Sequence, residues 1–273
     1  MLRQLNEWDR TVLFEYLLRN EEEAAFLIGN AEQFGIMNRS NLLRCGDYFG
    51  YFQGNTLQGV IAFYNMGNCF THYETFEAVP YFSQLMIMRR FSMLLGADRI
   101  IRPIFELIKH NKAVRGFEEC SYHVNYELKP FKLDGADFIE VSKDNSPEIL
   151  GFVRDAYLYG FDAERTLEGT RLLLSQKSEE EEFIILRSEG KLLAQACIQA
   201  VTLNTNQIGA VYTLMEERGK GYGKAVVSEL CERINRRGKL PTLVVNKQNT
   251  PALNAYKALG FEERGDYLMI RLA

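Results

Sequence analysis

Arg218-Gly219-Lys220-Gly221-Tyr222-Gly223, followed at once by the amphipathic run Lys224 to Arg237, is the stretch of this chain best equipped for chemistry. Its residue types describe a turn that holds an anion at the start of a helix. Glycines remove Cβ atoms where main-chain N–H groups must approach phosphate oxygens, and a helix start adds unpaired donors and a positive dipole end. The ligand implied is one that carries a pyrophosphate. A nucleoside triphosphate fits poorly, because Gly223 is followed by Lys224-Ala225 and no Lys-Ser/Thr pair supplies a hydroxyl for Mg²⁺. A dinucleotide fingerprint fits no better: the glycines at 219, 221 and 223 alternate instead of following Gly-x-Gly-x-x-Gly.

The flanking pattern supplies the elements that would position such a turn. Gln207 to Thr213 reads as a strand entering it. Val226, Leu230 and Ile234 recur at helical spacing beyond it, with Val227 and Cys231 beside them, and Arg236, Arg237 and Lys239 surround Gly238 as at a helix end. Strand, glycine turn, helix is therefore the expected order. Pro241 to Val245 reads as the next strand, and Pro251 to Leu259 as a short helix that Asn249 or Thr250 caps.

With both segments on the page, the chain resembles the GNAT acetyltransferase superfamily. Its cofactor loop has the form Arg/Gln-x-x-Gly-x-Gly/Ala, matched by Arg218, Gly221 and Gly223. A second signature, Asn-x-x-Ala-x-x-x-Tyr-x-x-x-Gly-Phe, is matched by Asn249, Ala252, Tyr256, Gly260 and Phe261. The usual Val-x-Pro-Glu lead-in is only partly kept, as Thr213-Leu214-Met215-Glu216. The resemblance implies acetyl-CoA as cosubstrate, bound in a V-shaped gap between the strands at Gln207–Thr213 and Pro241–Val245. It implies Val211, Tyr212, Thr213, Arg218, Gly219, Lys220, Gly221, Tyr222, Gly223, Lys224 and Asn249 as cofactor-binding residues, with Val211 and Thr213 acting through their backbone. A bulge in the first strand would aim an N–H at the thioester oxygen.

Tyr256, by residue type, reads as an amphipathic side chain packing on a sheet with a wet hydroxyl. The resemblance gives it a second role, as the acid that protonates the departing CoA thiolate in direct transfer to a primary amine. The base is open: Glu164 and Glu168 fall in the acceptor-loop region with Asp162 close by, but read first as exposed carboxylates of a solvated helix, and Glu179 to Glu182 reads as a soluble turn. The second half of the chain contains no histidine. A non-catalytic CoA-binding sensor would keep the turn without needing Tyr256. An aminoacyl-tRNA-dependent transferase of tandem GNAT-like fold would favour a basic surface that the composition lacks.

The fold expected is α/β, two tandem GNAT-like domains, each a mixed, mostly antiparallel sheet flanked by helices, with a splayed parallel strand pair in the second. Residues 136–273 carry the acetyltransferase pattern: a strand at Asp137–Val141, helices at Pro147–Tyr159 and Leu167–Lys177, then a hairpin at Glu182–Leu186 and Leu192–Leu203 ahead of the cofactor segment. Residues 1–132 echo it in degenerate form, with helices at Leu5–Leu18 and Glu22–Phe26, a hairpin at Tyr48–Gln53 and Leu57–Tyr64, a long helix at Tyr81–Leu95, a strand at Arg99–Ile101 and a helix at Phe105–His110. No glycine turn precedes that long helix. The hairpin aromatics, Tyr48, Phe49, Tyr51, Phe52, Phe63 and Tyr64, read as core and cross-strand pairs or as the lining of an acceptor site.

Composition agrees with an enzyme of two cores. The chain has 273 residues, is 47% hydrophobic and carries a formal net charge of −4, which gives no basic field for a nucleic-acid backbone. Apolar runs are interrupted by charges before membrane-spanning length, and Met1-Leu2-Arg3-Gln4 leads into a charged helix, so no membrane partner and a cytoplasmic location are expected. Five scattered cysteines and three dispersed histidines show no metal-ligand spacing, and neither a metal nor a disulfide framework is expected. The expected partner is a small-molecule or peptide amine, with a homodimer as the default assembly.

Overall fold

The computed structural model describes residues 1–141 and 146–273. By its contacts the chain divides into two units, Met1–Tyr122 with Arg264–Ala273, and His123–Glu263. The division differs from the expected boundaries at 132 and 136 and gives the last ten residues to the first unit. The reason is strand pairing: Tyr267–Arg271 run antiparallel to Met93–Ala97, and Leu268, Ile270 and Leu272 enter the first unit's core. The segment expected to be a junction belongs to the second unit. Lys129 N–H donates to Leu259 O, Phe131 N–H donates to Ser228 Oγ, and Leu128, Phe131 and Leu133 pack against that unit's core.

The first unit contains β1 (Leu2–Gln4), α1 (Arg10–Leu18), α2 (Glu21–Phe34), β2 (Gly46–Gln53), β3 (Thr56–Tyr64), β4 (Asn68–Tyr73), α3 (Ala78–Met88), β5 (Met93–Ala97), α4 (Asp98–Ile108), most of β6 (Val114–Asn125) and the C-terminal part of β12 (Phe261–Leu272). Strands β1 to β4 form an antiparallel run, and β4 pairs with β5 in parallel across the α3 connection. Two expectations are corrected here. The long helix at Tyr81–Leu95 is α3 followed by β5, because the backbone turns extended at Arg89 and the apolar run that follows is buried as a strand. The strand at Arg99–Ile101 is the first turn of α4, where Ile100, Ile101, Ile104 and Ile108 recur at helical spacing and are all buried. The hairpin aromatics are largely core: Tyr48 and Tyr64 are buried with their hydroxyls 2.9 Å apart, and Phe49 and Phe63 form an edge-to-face pair.

The second unit contains β7 (Ala136–Glu140), α5 (Pro147–Phe161), α6 (Leu167–Ser175), β8 (Phe183–Ser188), β9 (Lys191–Val201), β10 (Thr205–Thr213), α7 (Tyr222–Arg236), β11 (Leu240–Asn246), α8 (Thr250–Ala258) and the start of β12. Its strands lie in the order β7-β8-β9-β10-β11, antiparallel except for the parallel pair β10–β11. Alternation along the strands separates two cores. Ile184, Leu186, Ala196 and Ile198 pack with Val226, Leu230 and Ile234 of α7, whereas Phe183, Ile185, Cys197 and Ala210 pack with Leu150 and Val153 of α5 and Leu174 of α6. The order of elements in the first unit, strand, two helices, three strands, helix, strand, helix, strand, is repeated in the second. Among the described residues no helix is long and apolar enough to cross a membrane.

The acidic run before β8 is not a plain solvated turn. Glu182 is buried and bridges Arg233 and Arg237 at the end of α7, while Glu180 takes Lys239 Nζ at 2.5 Å. These contacts pin the helix end whose other terminus meets the glycine turn. Removing the carboxylate with Glu182→Ala takes that partner from Arg237 and leaves Arg233 with Glu229 and Glu140, and the expected loss is about 1–3 kcal/mol, read as a lower urea midpoint.

Candidate cofactor and transfer site

The site is built where β10 and β11 part. Their parallel register runs from Thr205↔Leu240 to Ile208↔Leu243 and stops there, so the remainder of β10 lies beyond the paired region. At that point β10 also breaks step with β9: Gly209 pairs with Cys197 and Tyr212 with Gln195, which places Ala210 and Val211 opposite a single residue in a β-bulge. Ala210 has φ +51°, a left-handed conformation uncommon for a residue with a Cβ. Gly209 leaves room for the Gln199 side chain of β9, since a Cβ on it would meet that carboxamide. A glycine inside a strand pattern is the sequence signal that points to this bulge; Ala210 itself gives none.

Beyond Thr213 the chain makes a short 3-10 turn at Met215–Glu217 and enters the glycine segment. Gly221 is the N-cap of α7 with φ +90°, and no side chain caps this helix. The contrast within the unit is direct: Ser146 caps α5, Thr166 caps α6 and Asn249 caps α8 with side-chain oxygens. The first N–H groups of α7 are therefore left for another acceptor, at the positive end of a helix of 15 residues. Gly223 faces Thr213, where a Cβ would sit 2.9 Å from Oγ1, so the first turn of α7 lies directly against the end of β10. Phe131 borders Gly221 on its other side, and Lys224 Nζ lies 3.5 Å from the centre of its ring.

The structure brings most of the expected site residues into one neighbourhood. Val211 and Tyr222 pack on the same core as Tyr256. Arg218 is exposed and its Nε donates to Thr213 O at 3.4 Å, tying the turn to the strand end. Lys220 is exposed and paired with Glu217 at 2.7 Å, and Gly219 is exposed with φ +81°. Tyr212 turns toward α5, edge-on to Phe152 and against Gly160, and burial raises its phenol pKa. Asn249 uses its side-chain oxygen to accept Ala252 N–H at 3.2 Å, the capping role its position allows.

Tyr256 is 8% exposed, edge-on to Phe261 with ring centres 5.9 Å apart. Burial first, and Cys231 second, hold its phenol above the usual range. Asp162, Glu164 and Glu168 are all exposed. His123, the first residue of the second unit, is buried; desolvation lowers its pKa and nearby Glu263 opposes that. In the first unit the link between β4 and α3 is Glu74-Thr75-Phe76-Glu77, without glycine and with two carboxylates where the second unit has its turn. Glu74 is paired with Arg19, and the Glu77 carboxylate at the N-cap of α3 disfavours an anion at that helix start.

A parallel pair that splays at a bulge and runs into an uncapped helix is the arrangement of a GNAT fold, and comparison with known proteins agrees. Across the whole chain, a Drosophila protein superposes with a TM-score of 0.75 at 13% identity, covering 100% of this chain and 98% of that one. A tandem GNAT protein from the clavulanic acid biosynthesis pathway matches with a TM-score of 0.61 at 11% identity over 99% and 97% of the two chains. A GNAT-family acetyltransferase from Colwellia psychrerythraea matches with 0.58 at 14% identity over the full length of both. The protein thus has the GNAT fold, in two GNAT-like domains, and within it residues 185–270 match the FR47-like protein family. No curated protein matches the sequence.

Proposed function

We propose that this protein is an acetyl-CoA-dependent N-acetyltransferase that passes the acetyl group directly to a primary amine. The observation that carries this reading is the uncapped start of α7 beside the splayed end of β10. Main-chain donors with no side-chain cap, on a glycine turn bordered by Arg218 and Lys224, suit a diphosphate. The open edge of β10 suits the extended arm that follows a diphosphate in CoA, and Val211 and Thr213 offer backbone groups to it. The GNAT-family acetyltransferase of the same fold supports the same chemistry.

In this reading the nitrogen lone pair of a neutral amine forms the new N–C bond while charge moves onto the thioester oxygen. As that charge returns, the C–S bond breaks and the Tyr256 O–H proton passes to the departing sulfur, and the proton shed by the nitrogen goes to solvent water, which returns one to the Tyr256 phenolate. A phenol, with an ordinary pKa of about 10, is protonated at neutral pH and can give its proton only as charge develops on the sulfur. A covalent acyl-enzyme is not part of the proposal: Cys197 and Cys231 are buried, and burial pushes the Cys231 thiol well above the usual range. The test is release of free CoA thiol from acetyl-CoA across a panel of polyamines, amino acids, aminoglycosides and peptides. Acceptor-dependent release supports transfer. Tight acetyl-CoA binding with no release for any acceptor identifies a non-catalytic CoA sensor instead.

A further inference from the structure

We propose that Gln195 aims the oxyanion donor of this site, a positioning role that rests on the acetyl-transfer reading above. Gln195 lies on β9 directly opposite Tyr212, is completely buried, and faces the core shared by α5, α6 and Ala210. Its Nε2 donates to Ala210 O at 3.3 Å, and its Oε1 is buried with no hydrogen-bond partner among the described residues. An orphaned buried acceptor is unfavourable, and an apolar side chain of similar shape would avoid it. The carboxamide is therefore unexplained by packing alone. What it does accomplish is to hold one particular carbonyl.

That carbonyl belongs to the peptide joining Ala210 to Val211. In a trans peptide the C=O and the N–H point in opposite directions, so fastening Ala210 O toward Gln195 turns the Val211 N–H away from it. Neither Ala210 nor Val211 has a register partner on β9, and the pairing of β10 with β11 has already ended at Ile208. The Val211 N–H is thereby directed to the gap where the strands part. Ala210 sits at φ +51°, which the strand would relax if nothing held it. Gln195 holds this strained peptide in place, and the donor is preorganised for the oxygen of a thioester before any substrate arrives.

Isotope-edited infrared spectroscopy of acetyl-CoA carrying ¹³C at the thioester carbonyl tests this without knowledge of the acceptor. The wild-type protein is expected to move the carbonyl stretch of the bound ligand to lower wavenumber than in free acetyl-CoA. Gln195→Met, close to isosteric, is expected to lose at least half of that movement, with acetyl-CoA affinity within about threefold of wild type and a melting temperature no lower. Gln195→Leu is measured alongside it in case one replacement packs badly. Full retention of the shift in both variants overturns the proposal, as does a loss of shift that comes only together with lost affinity and a lower melting temperature. Wild-type protein that binds acetyl-CoA with an unmoved carbonyl overturns this inference alone. Absence of binding overturns the acetyl-transfer reading beneath it.

Discussion

Gly221→Val is expected to abolish measurable acetyl-CoA binding while leaving a folded protein. Gly221 has φ +90°, and a β-branched residue forced there carries strain of about 1–3 kcal/mol. Its Cβ would also lie 3.1 Å from the Phe131 ring, so relief of the strain must displace the turn, and the displaced atoms are those whose N–H groups begin α7. A control separates strain from function. Gly238, just past the other end of the same helix, has φ +73° and open space around its Cβ position. Gly238→Ala is expected to lower stability by about 1–2 kcal/mol and to leave acetyl-CoA affinity at the wild-type value. Calorimetric titration of both variants checks the pair, and equal effects of the two would remove the turn from the binding site.

Tyr256→Phe is the second large effect expected, and it falls on turnover. The ring is packed among Phe261, Cys231 and the apolar face of α7, contacts that phenylalanine keeps, so fold and cofactor affinity should change little. The proton donor is lost. Removal of a positioned general acid lowers rate by about 10²-fold or more, and the loss should appear in kcat with KM for acetyl-CoA nearly unchanged. Steady-state kinetics with the best acceptor from the amine panel provides the measurement; unchanged kcat would return Tyr256 to the purely structural role its burial also permits.

The second unit was legible because its segments carry their own punctuation. Ser146-Pro147, Glu189-Gly190, Gly221 and Asn249-Thr250-Pro251 each mark a start or a reversal, and the elements between them fall within a few residues of expectation. Local chemistry sufficed there. The first unit lacks such marks at the places where its reading failed. Tyr81 to Leu95 is apolar nearly throughout, and a continuous apolar run does not distinguish a helix followed by a buried strand from one long helix. Ile100-Ile101 looks like strand by β-branching, but the burial of Ile104 and Ile108 on the same face made it a helix.

Long-range pairing was the larger gap. Nothing in the composition of residues 264–273 says that they join the strand Met93–Ala97, about 170 residues earlier in the chain. The same holds for Glu180 and Glu182, whose partners Lys239, Arg233 and Arg237 lie on a helix end far along the sequence. The glycine turn and Tyr256 could be named from local pattern. The contact of Gln195 with Ala210 O, on which the role proposed for it rests, could not, because it exists only through the register that sets β9 against the bulge in β10.

The central claim is that main-chain amides at the start of α7 hold the diphosphate of CoA. Titration of CoA into ¹⁵N-labelled protein, followed by amide chemical shifts, addresses those atoms themselves. The account predicts saturable movement of the Tyr222, Gly223 and Lys224 amide signals, with the capped starts of α5 and α6 comparatively still. Saturable CoA binding that leaves those three amides unmoved, or no binding at all, would contradict it.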